Sequence, residues 1–186
     1  MEHQAEICAN IVKIIRERSE TGQLLKVDEI LIELRRRDSE TEDLDRKALA
    51  PLLEQVLEEN PDLKAIYDRN GIPYYHSIES LSETYGRILV WKSEDPLRMI
   101  AEVVRKNSQL YPRPVCLDSF QEPPFGLTEE EIVECLNTMA HHKDYQDIVR
   151  TVTSAGTQFL YSKDHLDSDH AIALAEWSDV GQVDNP

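Results

Sequence analysis

Leu63-Lys64-Ala65-Ile66-Tyr67-Asp68-Arg69-Asn70-Gly71-Ile72-Pro73-Tyr74-Tyr75-His76-Ser77 is the stretch around which the chain organises itself. Two short alternating runs, Leu63–Tyr67 and Ile72–His76, flank Asp68-Arg69-Asn70-Gly71. Asn-Gly tolerates the positive φ angles of a tight turn, so the segment reads as a β-hairpin. Pro73 has no N–H to give to a ladder and must face the open side of its strand.

Upstream of the hairpin the period is helical. Ile7, Ile11, Ile14 and Ile15 mark one face of a first helix that ends near Glu20-Thr21-Gly22. Leu24 and Leu25 fit a short strand. Val27, Ile30, Leu31 and Leu34 then fall at i, i+3, i+4 and i+7, the stripe of an amphipathic helix. A third helix carries Leu49, Leu52, Leu53 and Val56, and Pro51 predicts that its regular part begins near Ala50. Residues 1–77 therefore read as one module.

Downstream the order repeats. Asp95 and Pro96 open a helix faced by Leu97, Ile100, Val103 and Val104. Prolines 112, 114, 123 and 124 leave room for only a short helix, around Val115 to Gln121. Thr128 and Glu131 form a capping box ahead of Ile132, Val133, Leu136 and Met139. A second hairpin, Ile148–Thr153 and Thr157–Ser162, turns at Ala155-Gly156. Gly71 and Gly156 lie 85 residues apart, a spacing that also places Tyr74 on Phe159, Tyr75 on Leu160, His76 on Tyr161 and Ser77 on Ser162. The third helices align at a different spacing, Leu52 with Ile132, 80 residues on. Residues 95–165 form the second module, and 78–94 read as a packed connector because Ile88-Leu89-Val90-Trp91 is too apolar for a free linker. Residues 166–186 read as an acidic tail: from Asp164 onward there are six acidic side chains and no Lys or Arg. Within it Ser168 is placed to cap a short helix through Trp177, and Gly181 to Pro186 read as disordered.

Helix, short strand, two helices and a hairpin is the element order of a winged helix, and each half resembles that superfamily. The implied architecture is α+β, two tandem winged-helix modules with an acidic C-terminal tail. The resemblance implies either DNA binding, with the third helix in the major groove, or service as an adaptor or assembly subunit.

Charge separates those two uses. The 186 residues hold 36 acidic and 20 basic side chains, a formal charge of −16, and 6 His. The third helix of module 2, Thr128 to Ala140, carries Glu129, Glu130, Glu131 and Glu134 and no Lys or Arg, so phosphate would repel it. Module 1, with 17 acidic and 11 basic residues, keeps a basic cluster at Arg35-Arg36-Arg37, with Arg46, Lys47 and Arg69 nearby. Those six are the candidate DNA contacts of a transcription regulator acting through module 1, as a dimer. The favoured expectation is a protein partner, basic in character, with homodimerisation a second option. Tyr74, Tyr75 and Trp177 are the candidate anchors for it.

Chemistry leaves little trace. No glycine-rich phosphate loop appears among the 6 Gly, and neither HExxH nor GxSxG is present. Cys116, Asp118 and Ser119 are neighbours without a His base nearby. Cys116, Cys135, His141 and His142 lack finger spacing, and His165 to His170 offers ligand types only in the tail. We expect no catalysis, metal or cofactor. The absence of a long apolar run, of a secretory signal and of paired cysteines points to the cytoplasm and away from a membrane.

Overall fold

Ile7, Ile11, Ile14 and Ile15 recur at helical spacing, and in the computed structural model, which describes residues 2–181, they are the buried side of α1 (Glu2–Glu20). Helix α2 (Val27–Arg37) turns Ile30, Leu31 and Leu34 toward that side. A single 3₁₀ turn, Ser39–Thr41, leads into α3 (Arg46–Glu59), which adds Leu49, Leu52, Leu53 and Val56. The helix starts four residues before the expected Ala50. Asp45 caps it, its carboxylate accepting from the Ala48 N–H at 2.8 Å, and this nucleates the turn that precedes Pro51. The N–H that Pro51 lacks would have met the carbonyl of Lys47, an exposed residue of the first turn.

The first hairpin pairs β1 (Leu63–Tyr67) with β2 (Pro73–Ser77). Its turn closes through Gly71 N–H to Asp68 O at 3.0 Å, with Gly71 at φ +77°, a left-handed angle that an L side chain resists. Leu25 bridges Tyr75 on the other side of β2, the short strand expected there reduced to one residue. Residues 78–94, read as a connector, contain α4 (Glu83–Glu94). Its Val90 packs with Ile66 and Tyr74 on the hairpin and with Leu24, just before α2. Gly86 is there because a Cβ would lie 2.6 Å from Ile66 Cδ1.

The chain divides into two compact units between Val90 and Trp91. In the second, α5 (Pro96–Leu110) buries Met99, Ile100, Val103 and Val104, and Asp95 caps it by accepting from Leu97 N–H at 3.0 Å. The short helix expected at Val115–Gln121 is instead β3 (Val115–Cys116) followed by a 3₁₀ turn, Leu117–Gln121. The first two residues find strand partners in Leu160 and Phe159, which takes them out of a helix and leaves a 3₁₀ turn to follow. Helix α6 (Glu129–His141) has the expected reciprocal cap: Glu131 N–H donates to Thr128 Oγ1 at 3.2 Å, and Thr128 N–H to Glu131 Oε2 at 2.8 Å. Then β4 (Ile148–Val152) and β5 (Gln158–Ser162) form the second hairpin, and β5 lies between β3 and β4.

The residues read as a tail are largely ordered structure. Helix α7 (Ser168–Glu176) is followed by a wider π-type turn, Trp177–Gly181. Asp167, not Ser168, caps α7, because its carboxylate accepts from both Asp169 and His170 N–H groups at 3.1 and 3.2 Å. Ala171 packs with Tyr161 on the second hairpin and with Leu166, between β5 and α7. Gly181 ends that turn, and the rest of the segment expected to be disordered lies outside the described residues.

Among the described residues the chain is α+β, with seven α-helices and two small antiparallel sheets. No described helix is long and apolar enough to cross a membrane.

Candidate functional site

Each unit has a partly buried polar cluster that joins its first helix to its hairpin. In the first unit Arg16 donates from Nε and Nη2 to the two oxygens of Asp62 at 2.9 and 2.8 Å. Asp62 also accepts from Ser77 Oγ at 3.0 Å, and Ser77 N–H donates to Ser19 Oγ at 2.8 Å. The second unit has the same four residue types in the same roles. Arg105 reaches Asp147 at 2.9 and 2.7 Å, Ser162 Oγ reaches Asp147 at 2.8 Å, and Ser162 N–H reaches Ser108 Oγ at 2.9 Å. Arginine hydrogen bonds hold both carboxyls below the usual aspartate range, and burial opposes this without cancelling it. A serine beside an aspartate invites a nucleophile reading. Here, however, both hydroxyls already donate to carboxylates, and no histidine faces them in either cluster. The clusters hold the strand end to the helix.

His76 differs from its counterpart. Its side chain is fully buried, Nδ1 lies 2.9 Å from Leu81 O, and Nε2 has no hydrogen-bond partner. Burial pushes its pKa down, so the ring is neutral. Tyr161, 85 residues on, instead sends its hydroxyl to Ser168 Oγ at 3.0 Å.

The candidate DNA contacts are mostly engaged. Arg36 pairs with Glu33 at 2.9 Å, and Arg37 with Glu17 at 2.6 Å and more loosely with Glu33. Glu33 is buried and also takes Arg18 at 2.5 Å, and Arg18 with Arg36 lowers its pKa against the effect of burial. Arg35 donates to Leu44 O at 2.8 Å. Arg46 forms a two-point pair with Asp28. Lys47 and Arg69 are exposed, Arg69 at the hairpin turn. Three of the six cations thus pair with carboxylates of the same unit.

Tyr74 and Tyr75 are not available as anchors, since each is 8% exposed. Alternation along β2 would expose one of them, but both faces of the strand are covered. Tyr75 points into the α1–α3 core, and Tyr74 meets Val90 of α4, with Lys26 Nζ 5.0 Å from its ring centre. Trp177 is 61% exposed.

Nor do the candidate ligands converge. Cys116 is on β3 and Cys135 on α6, where burial pushes its thiol up to about 11 and keeps it protonated. Among the described residues no three His, Cys, Asp or Glu side chains are grouped to hold a metal ion.

What remains open is the outer face of α6. Ile132 and Met139 face inward, while Glu129, Glu130, Val133, Glu134, Asn137, Thr138 and His141 line a shallow recess outside. Val133 is half exposed. Carboxylates occupy the helix start, where the dipole favours them, and no lysine or arginine neutralises them on the helix.

Residues 92–183 match a family model described as the YdhW C-terminal domain, a range that takes in the whole of α5 through α7. The chain is also 31% identical over 141 residues to the uncharacterized protein YdhW of Escherichia coli (strain K12). That alignment covers 74% of this chain and 65% of the relative, so the chain spans about two thirds of the length of the protein that it resembles.

Proposed function

We propose that the chain is a non-catalytic, cytoplasmic interaction or regulatory subunit built from two winged-helix modules, and that the α6 face receives a basic partner. The winged-helix reading is supported by the order of elements, which is helix, strand contact, helical turns, third helix and hairpin in both units. The observation that carries the function is the α6 face itself. In a winged helix that reads DNA this helix bears cations, whereas here exposed Glu129, Glu130 and Glu134 surround exposed Val133. An apolar spot ringed by one sign of charge suits a basic amphipathic helix or loop, with charge steering the encounter.

The test uses the whole chain and nuclease-treated extract of its native host. A partner should be retained, should weaken with added salt, and should be lost with Val133→Asp or with Glu130→Lys and Glu134→Lys together. Retention of nucleic acid instead, with a salt-dependent mobility shift abolished by replacing Arg35, Arg36 and Arg37, would establish the DNA-binding alternative and overturn this reading.

A further inference from the structure

The second unit holds a groove that the first has closed. In both units four residues run from the end of the first helix to the strand contact with the hairpin: Thr21–Leu24 before Leu25, and Tyr111–Pro114 before Val115. In the first unit Gly22 turns at φ +75°, and Leu24 folds into the cluster of Ile66, Tyr74 and Val90. In the second unit Pro112 and Pro114 remove both the flexible turn and the inward leucine. The result is a recess of about 610 Å³ between α5, β3 and α7, floored by Val103, Phe125, Phe159 and Leu174. At its rim Tyr111 and Trp177 stand 62% and 61% exposed. Two large aromatic rings left in solvent beside an apolar floor are an unusual expense of apolar surface for a chain with so few aromatics.

The charge at this groove is also the reverse of its surroundings. None of the side chains lining it is acidic, although the chain as a whole is at −16. Its one formal charge is Arg113, whose guanidinium lies 5.3 Å from the Tyr111 ring centre and makes no ion pair among the described residues. Elsewhere Arg16, Arg18, Arg36, Arg37, Arg46 and Arg105 each have a carboxylate of the chain. A cation held against an aromatic ring, over a carboxylate-free apolar groove, is complementary to an anion next to a bulky apolar group.

We infer that this groove binds an extended peptide segment of another protein, one carrying a carboxylate within two residues of a large apolar side chain. The apolar side chain seats between Trp177 and Tyr111, and the carboxylate pairs with Arg113. This surface is separate from the α6 face and has the opposite charge preference, so one chain offers two differently selective docking sites.

The experiment pans a random ten-residue phage-displayed library on the whole chain and measures enriched synthetic peptides by calorimetry. Enriched sequences should place Asp or Glu within two positions of Phe, Trp, Leu or Ile. Arg113→Glu and, separately, Trp177→Ala should each weaken them at least tenfold, while Val133→Asp on α6 should not change their affinity. Arg113→Glu should also bind better than the parent chain to the same peptide with Lys in place of its acidic residue. Both variants change exposed side chains, and an unchanged urea midpoint shows that they fold. The inference is overturned if no peptide is enriched, if the enriched peptides are basic, or if binding is insensitive to both groove variants. Sensitivity to Val133→Asp alone would assign the binding to α6 and likewise overturn it.

Discussion

Arg105 and Asp147 meet through two parallel N–H···O contacts, 2.9 and 2.7 Å long, across 42 residues of sequence. Arg16 and Asp62 repeat the arrangement in the first unit. Each aspartate also receives a serine hydroxyl from the end of its hairpin. Removing the carboxylate takes one acceptor from the serine hydroxyl and two contacts from the arginine, although Arg105 keeps Asp144 O at 2.6 Å and Glu102 at 3.5 Å. Asp147→Ala should cost the second unit about 2–3 kcal/mol, less than the roughly 3–5 kcal/mol of a fully buried pair because Arg105 is partly exposed. Urea unfolding followed by hydrogen exchange of each unit checks this. Asp62→Ala should act in the same way on the first unit, and the two losses should add.

Acid should expose the same pairs. Asp62 and Asp147 have folded-state pKa values below those of the unfolded chain, so the stability they contribute is fully present above the ordinary aspartate range, near pH 4. It falls away as the pH drops through their folded values, because the unfolded state takes up the proton first. Denaturation midpoints should therefore fall below about pH 4 in the parent chain. The fall should be shallower in a chain carrying Asp62→Asn and Asp147→Asn, already weaker at neutral pH.

His76 titrates in a different window. Its folded pKa is lowered by burial, so the unfolded state binds a proton that the folded state refuses. Stability of the first unit is whole above the unfolded histidine value of about 6.5 and declines as the pH falls below it. His76→Tyr, the residue type found at 161, should remove this dependence whatever its effect on stability at neutral pH. Hydrogen exchange of β1 and β2 at pH 7.5 and 5.5 reads it, and a parent chain with equal protection at both values would count against the assignment.

Gly86 tests the packing of α4. A Cβ there lies 2.6 Å from Ile66 Cδ1 and 3.1 Å from Leu81 Cδ2. Gly86→Val should destabilise the first unit by about 1–3 kcal/mol through overpacking, even though glycine is itself a poor helix former. Gly71→Ala, at a turn with open space but φ +77°, should cost about 1 kcal/mol for backbone reasons alone. Thermal unfolding of the two variants separates crowding from strain.

Local chemistry was legible in the residues themselves. Asp68 to Gly71 turns a hairpin because Gly71 accepts the left-handed angle, whereas Asn70 does not take the positive φ expected of it. Asp95-Pro96 and Thr128 with Glu131 begin helices because their side chains satisfy nearby N–H groups. The acidic character of α6 needed only a count. What took three dimensions was whatever joins distant parts of the chain. The bonds that join helix to hairpin in the Arg-Asp-Ser-Ser clusters span 42 to 58 residues, and each member alone is an ordinary surface type. The burial of both Tyr74 and Tyr75 depends on α4 covering the second face of β2, and a strand's alternation cannot report what covers it. The apolar run Ile88 to Trp91 marked 78–94 as packed, and Ser168 to Trp177 read as a short helix, but the surfaces they pack on were not legible: Val90 lies against Ile66 and Tyr74, and Ala171 against Tyr161. Side chains set turns and caps over a few residues, but burial is a property of neighbours that only the folded chain supplies.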